Sequence, residues 1–207
     1  MSGTILIADD HPLFRQALAM AAAIVRPDAR LVECANLSSA LNEAVAADDL
    51  ILILLDLKMP GAEGYSGVAL LHAEKPGIPI LVVSSADAAQ AARDAVRFGA
   101  VGFIGKDAEL GLIEEAIADA LAGKSIDAPK DIDVDPIAAQ IASLTPTQLK
   151  VLLGVMQGRL NKQIAYDLGV SEATVKAHMT AILKKLDVQN RTQAVLAAKA
   201  LGLRIEH

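Results

Sequence analysis

The chain of 207 residues is 53% hydrophobic and 21% charged with a formal net charge of −6, enough apolar material for one good core or two modest ones. No apolar run approaches the roughly 20 residues of a bilayer span, and the opening MSGTILIADD lacks a basic stretch followed by an apolar one, so no membrane association and a cytoplasmic address are expected. Cys34 is the one cysteine, which excludes an internal disulfide framework or a multi-cysteine zinc site, and five aromatics with no Trp argue against stacking on bases.

In chain order, β-rich runs alternate with Ala-rich segments of helical period. The runs are TILIA (4–8), RLVECA (30–35), LILILLD (50–56), PILVVSS (79–85) and VGFIG (101–105). This is βα repeated five times, and apolar strands without strict alternation fit a parallel sheet covered by helices on both faces. The last helix of this part, near 107–122, ends at Gly123. Next comes SIDAPKDIDVDPIAAQ, with two Pro, four Asp and no clear period, which reads as a linker with room for some helix. From Leu144 onward no strand candidate occurs. Helices fit 146–157, 161–168, 172–186 and 191–201, separated by Gly158, Gly169 and the polar pair at 189–190.

Charge follows the same division. Residues 1–123 hold 8 Lys+Arg against 17 Asp+Glu, residues 124–143 hold 2 against 4, and residues 144–207 hold 9 against 4. An acidic front and a basic tail suggest modules with different partners, the tail being the candidate for nucleic acid.

Ligands of open parallel sheets bind beyond the carboxyl ends of the strands. Asp9 and Asp10 close the first run and Asp56 closes the third. If those strands are neighbours, their tips lie only about 5 Å apart. Three crowded carboxylates repel one another unless a cation is present, and hard oxygen donors favour Mg²⁺. Ser84 ends the fourth strand and Lys106 follows the fifth, supplying the hydroxyl and the positive charge that a phosphoryl group requires. Taken singly, each residue fits a plainer role: the Asp pair as a helix cap with a solvated neighbour, Ser84 as a strand-end hydroxyl, Lys106 as a loop charge. Their coincidence on one rim favours the functional reading.

DD at 9–10, LLDLKMPG at 54–61, VVSS at 82–85 and GFIGKD at 102–107 together resemble, in order and spacing, the receiver domain of bacterial two-component response regulators. The resemblance covers residues 1–123. It implies a flavodoxin-like (βα)5 fold with sheet order 2-1-3-4-5, Asp56 as phosphoacceptor, Mg²⁺ bound by Asp10 and Asp56 directly and by Asp9 through water, and the Lys58 backbone carbonyl as a further ligand. It also implies Ser84 and Lys106 as grips on the phosphoryl group and Phe103 as a switch aromatic that turns inward on activation. Lys58 and Ala86, each two residues beyond a site residue, are expected to border the path of attacking water and tune phosphoryl lifetime. Gly105 departs from the larger apolar residue usual before the lysine and predicts a more mobile loop.

The tail, LTPTQLKVLLGVMQGRLNKQIAYDLGVSEATVKAHMTAILKKL with NRTQAV beyond it, resembles the LuxR-type helix-turn-helix domain of NarL/FixJ-type regulators, a small four-helix unit. Asn161 can cap a helix, Gly169 can end it in a left-handed turn and Ser171 can cap the next. In that next helix Val175, Met179, Ile182 and Leu186 form the inward stripe, which leaves Lys176, Ala177 and Thr180 outward. The resemblance implies that these three approach base edges in the major groove, while Lys162, Ser171 and Thr174 suit phosphates. Thr147 and Gln148 replace an Arg-Glu pair frequent in the family, removing one possible ion pair.

The resulting expectation is a regulator, not an enzyme: a receiver at 1–123, a linker at 124–143 and a DNA-binding domain at 144–207. Its partners would be a sensor histidine kinase, double-stranded DNA, the transcription machinery and, once phosphorylated, a second copy joined through the helix at 191–201. The acidic receiver is expected to cover the basic tail until phosphorylation releases it. The rivals are a receiver that relays or sinks phosphate without binding DNA and, further off, a Mg²⁺-dependent phosphohydrolase.

Overall fold

A computed structural model describes residues 3–62, 64–85, 88–124, 126 and 136–203. Among the described residues, five parallel strands, β1 (Thr4–Ala8), β2 (Arg30–Cys34), β3 (Leu50–Leu55), β4 (Ile80–Ser84) and β5 (Gly102–Gly105), lie in the order β2-β1-β3-β4-β5. The helices between and after them are α1 (Pro12–Val25), α2 (Leu37–Ala46), α3 (Ser66–Glu74), α4 (Ala88–Arg97) and α5 (Leu110–Leu121). The expected order and each strand assignment hold to within a residue or two. No helix of the described residues is long and apolar enough to cross a membrane.

Alternation along the strands divides the core into two layers. Ile5, Ile7, Leu52, Leu54, Leu81 and Val83 meet Leu18, Ala21 and Ala22 of α1 and Ile113 and Ile117 of α5. Leu6, Ala8, Ile53, Leu55 and Val82 face the other way, toward α2, α3 and α4. Both faces being covered is why the strands read as unbroken apolar runs.

The second unit contains α6 (Pro136–Ala142), α7 (Pro146–Met156), α8 (Asn161–Leu168), α9 (Glu172–Lys185) and α10 (Arg191–Ala200). Four of these match the predicted helices. The fifth, α6, falls inside the stretch read as linker. Its seven residues carry no helical signal of their own, but Ala138 and Ile141 are buried in a layer shared with α3 and α10, and that burial holds the helix. Gly169 closes α8 at φ +65° with a left-handed cap, as expected. Asn161 is not the cap. It is the first helical residue, its Oδ1 accepts from Arg191 Nη1 at 3.2 Å, and the Gln163 side chain instead accepts the Leu160 N–H at 2.7 Å. Ser171 caps α9 through the Thr174 N–H at 3.1 Å. Gln148 instead takes part in a reciprocal capping box: its side-chain oxygen accepts from the Thr145 N–H, and its own N–H donates to Thr145 Oγ1.

The two units pack directly on each other. α3 lies against α6 and α7, and α4 against α6. Glu74 accepts from Lys150 Nζ at 2.8 Å, and Gly64 forms an antiparallel bridge with Leu203. Gly202, at φ +87°, turns the chain at the end of α10; a Cβ there would sit 3.3 Å from the Tyr65 ring. Tyr65 in turn stacks on Phe98, centroids 5.8 Å apart.

Candidate functional site: a carboxylate cluster at the strand tips

Parallel registry sets the site. Ala8 pairs with Leu55, and the Asp56 N–H donates to the Ala8 carbonyl at 2.9 Å, so the ends of β1 and β3 are locked together. The Lys106 N–H donates to the Ser84 carbonyl at 3.1 Å and aligns the ends of β4 and β5. The four tips thus converge, which is the rim the sequence predicts.

Asp56 is 2% exposed and Asp9 and Ser84 are fully buried. Asp56 Oδ1 accepts from Ser84 Oγ at 2.8 Å and from the Lys58 N–H at 3.1 Å. Asp56 Oδ2 accepts from Lys106 Nζ at 2.7 Å, and the same ammonium lies 2.6 Å from Asp9 Oδ2. Asp9 Oδ1 accepts from the His11 N–H at 2.8 Å, and its backbone carbonyl accepts from Arg15 Nη1 at 2.8 Å. The crowding of carboxylates expected to need an external cation is therefore met in part by the chain's own lysine. Burial is the largest influence on Lys106 and disfavours its charge, but hydrogen bonds and attraction from Asp56 and Asp9 together outweigh it and lift its pKa above the ordinary value.

Asp10 stands beside the pair, in contact with the exposed His11 ring at 2.7 Å. One atom each from Asp9, Asp10, His11 and Asp56 fall within 4.8 Å of one another. Three carboxylate oxygens at that spacing suit a hard divalent cation such as Mg²⁺. Over the cluster opens a cleft of about 420 Å³ lined by His11, Leu13, Phe14, Asp56, Lys58, Ser85 and Lys106.

Phe103 is 4% exposed. The ring expected to turn inward on activation is already inside, and Ser84 is already bonded to Asp56. At Gly105 a Cβ would meet the terminal Oδ1 of the Asp107 side chain, which can turn aside, so this contact does not require glycine. Lys58 lines the cleft; Ala86 lies outside the described residues. Two contributors were not anticipated. His11 joins the acid cluster, and Phe14 places its ring 4.8 Å from Lys106 Nζ. Phe14 lies in the first turn of α1, and its place in the sequence carries no signal of a contact with Lys106.

In the tail, Lys162, Ser171, Lys176, Ala177 and Thr180 are exposed and Thr174 half-buried, while Val175, Met179, Ile182 and Leu186 are buried. Thr180 Oγ1 donates to the Lys176 carbonyl at 3.1 Å, which occupies the hydroxyl proton and leaves the methyl outward. Lys176 pairs with Glu172 at 3.2 Å, and Ser171 Oγ and Thr174 Oγ1 share a hydrogen at 2.8 Å. Among the described residues, the receiver does not cover this face. It rests on α6, α7 and the end of α10 instead, because its apolar α3 surface finds apolar partners there.

Residues 5–118 match the family described as response regulator receiver domain, and residues 142–198 match bacterial regulatory proteins, luxR family. A glycerol metabolism activator of Pseudomonas putida is 42% identical over 207 residues, covering 94% of each chain. The nitrate/nitrite response regulator protein NarP of Escherichia coli is 30% identical over 203 residues, covering 93% of this chain and 92% of its own. Among solved structures, the receiver domain of the putative response regulator NarL of Mycobacterium tuberculosis is 28% identical with TM-score 0.52, over 59% of this chain and 98% of that one.

Proposed function

Because this chain belongs to the transcriptional response regulators that join a receiver domain to a LuxR-type DNA-binding domain, we propose that reversible phosphorylation of Asp56 controls its dimerisation and its binding to DNA. The receiver is assigned to residues 1–123 and the DNA-binding domain to 144–207, with 124–143 joining them. The supporting observation is Asp56 itself: nearly sealed from water, gripped by Ser84 and Lys106, and placed at the floor of the cleft.

The donor is the phosphohistidine of a sensor histidine kinase. An Asp56 oxygen attacks phosphorus in line, the P–N bond breaks, and the imidazole leaves with the electron pair and takes up a proton. Lys106 and Ser84 transfer their contacts from the carboxylate to the new phosphoryl oxygens, and burial keeps Asp56 oriented. Asp9, Asp10, Asp56 and the Lys58 carbonyl would hold Mg²⁺, which when bound supplies neutralisation of phosphoryl charge. The product carries about two negative charges where one stood. Since Ser84 and Phe103 are already inward, the change that follows is an expansion around added atoms more than a swing of the ring, spreading through the α4 side to the interface with α6, α7 and α10.

That interface, not the DNA-reading face, is where gating acts. The Gly64–Leu203 bridge holds the end of α10, the helix through which two copies would join on paired half-sites, and the Glu74–Lys150 pair ties α3 to α7. Leu203 is fully buried, so Leu203→Arg should separate the units and raise the DNA affinity of the unphosphorylated protein toward that of the phosphorylated one in a gel-shift titration. Unchanged affinity in a folded variant would remove the interface from the gate. The wider reading is tested by titrating promoter DNA at one salt concentration with and without a small acyl phosphate donor. Tighter binding with the donor is expected; equal affinity overturns phosphorylation control.

On DNA, α9 enters the major groove with Lys176, Ala177 and Thr180 toward the bases, and Lys162, Ser171 and Thr174 toward phosphates. Lys162→Ala should weaken binding to all sequences and reduce the salt slope by about 1. Lys176→Ala should instead narrow the gap between specific and non-specific DNA. The same response from both variants contradicts this division. Recruitment of the transcription machinery would follow DNA binding.

A further inference from the structure

Lys106 makes a third contact that the receiver chemistry above does not use. Its ammonium has three N–H bonds. Asp9 and Asp56 take two directions at 2.6 and 2.7 Å, and the Phe14 ring lies 4.8 Å away, measured to its centroid. Only 14% of the lysine side chain is exposed. An ammonium so enclosed needs a favourable surface on its remaining side, and an aromatic face offers one through its quadrupole. Phe14 sits in the first turn of α1, held by the layer that includes Leu18, Ile113 and Ile117, so the ring is anchored on a rigid element.

We propose that Phe14 is a positioning residue for Lys106, resting on the reading of Asp56 as the phosphoacceptor. When Asp56 takes a phosphoryl group, the oxygen that Lys106 held changes partner, and the lysine must move to a phosphoryl oxygen. The ring provides a contact that accompanies this movement. A cation over a π face can slide without losing its attraction, whereas a second carboxylate in that place would hold it rigidly and raise the cost of transfer. Leu13 and Phe14 also form an apolar wall of the cleft, which keeps bulk water from competing for the ammonium. Phe14 therefore favours the arrangement in which Lys106 meets incoming negative charge.

The decisive series places mono-, di- and trifluorinated phenylalanine at position 14 of the full-length protein, which drains the ring quadrupole while keeping its shape. The initial rate of Asp56 labelling by a small acyl phosphate should fall stepwise with fluorination, reaching about fivefold for the most fluorinated ring, with the melting temperature unchanged. Phe14→Leu should lower the rate similarly, and Phe14→Tyr should restore it. Independently, the ε-methylene protons of Lys106 should show an upfield ring-current shift by NMR that disappears in Phe14→Leu. A flat fluorination series with normal labelling of the wild type overturns the role of Phe14 alone. Absence of the ring-current shift overturns the contact in solution. A wild-type protein that takes no label at Asp56 overturns the receiver reading and this role with it.

Discussion

Asp56→Asn should take no label from a small phosphodonor, keep its fold, and lose all dependence of DNA binding on that donor. The amide is nearly the same size and can still accept from Ser84 Oγ, now at 2.8 Å from Oδ1, and Lys106 retains Asp9 at 2.6 Å. What disappears is the anionic oxygen that attacks phosphorus. Asp9 and Asp10 cannot substitute, because Asp9 is fully buried behind Lys106 and does not line the cleft, and Asp10 is set beside His11. Removing one charge from a crowded cluster also relieves repulsion, so the melting temperature should hold or rise. Mass spectrometry after treatment with the donor reads the result; full labelling of the variant would take the phosphoacceptor role from Asp56.

Much of this site was legible because its logic is one-dimensional. Asp9, Asp56, Ser84 and Lys106 each follow an uninterrupted apolar run, and a parallel sheet brings the ends of such runs to one edge whatever the details of packing. The residues that escaped depend on tertiary placement. Phe14 belongs by its spacing to the buried face of α1, and nothing in the sequence distinguishes a ring that packs on leucines from one that also meets an ammonium. Residues 136–142 have no period of their own, yet Ala138 and Ile141 become buried once α3 and α10 approach. The expected covering of the DNA-reading face rested on opposite net charges of the two parts. Docking follows local apolar surface instead, and Lys150–Glu74 is an ion pair that joins it. Net charge steers encounter more than it selects a docked geometry.

The same distinction between charge count and charge placement predicts the largest stability effect. Lys106→Met should abolish efficient labelling and also destabilise the receiver by about 3–5 kcal/mol, since removing one partner leaves Asp9 and Asp56 buried with an uncompensated charge. The melting temperature should then fall on the order of 10 °C. The pH dependence gives the sign. The folded pKa of Lys106 is raised above its ordinary 10.5, so the folded state binds this proton more tightly than the unfolded state. Its contribution is fully present below 10.5 and is lost as pH rises through the folded value. Wild-type stability should therefore drop on that alkaline limb, and Lys106→Met should lack the drop. Mg²⁺ should recover part of the variant's loss by binding the folded form alone, without recovering the rate of labelling. Thermal melts across pH, with and without Mg²⁺, separate these effects. A variant that melts with the wild type at neutral pH in the absence of Mg²⁺ would show that Asp9 and Asp56 do not depend on Lys106 for their burial.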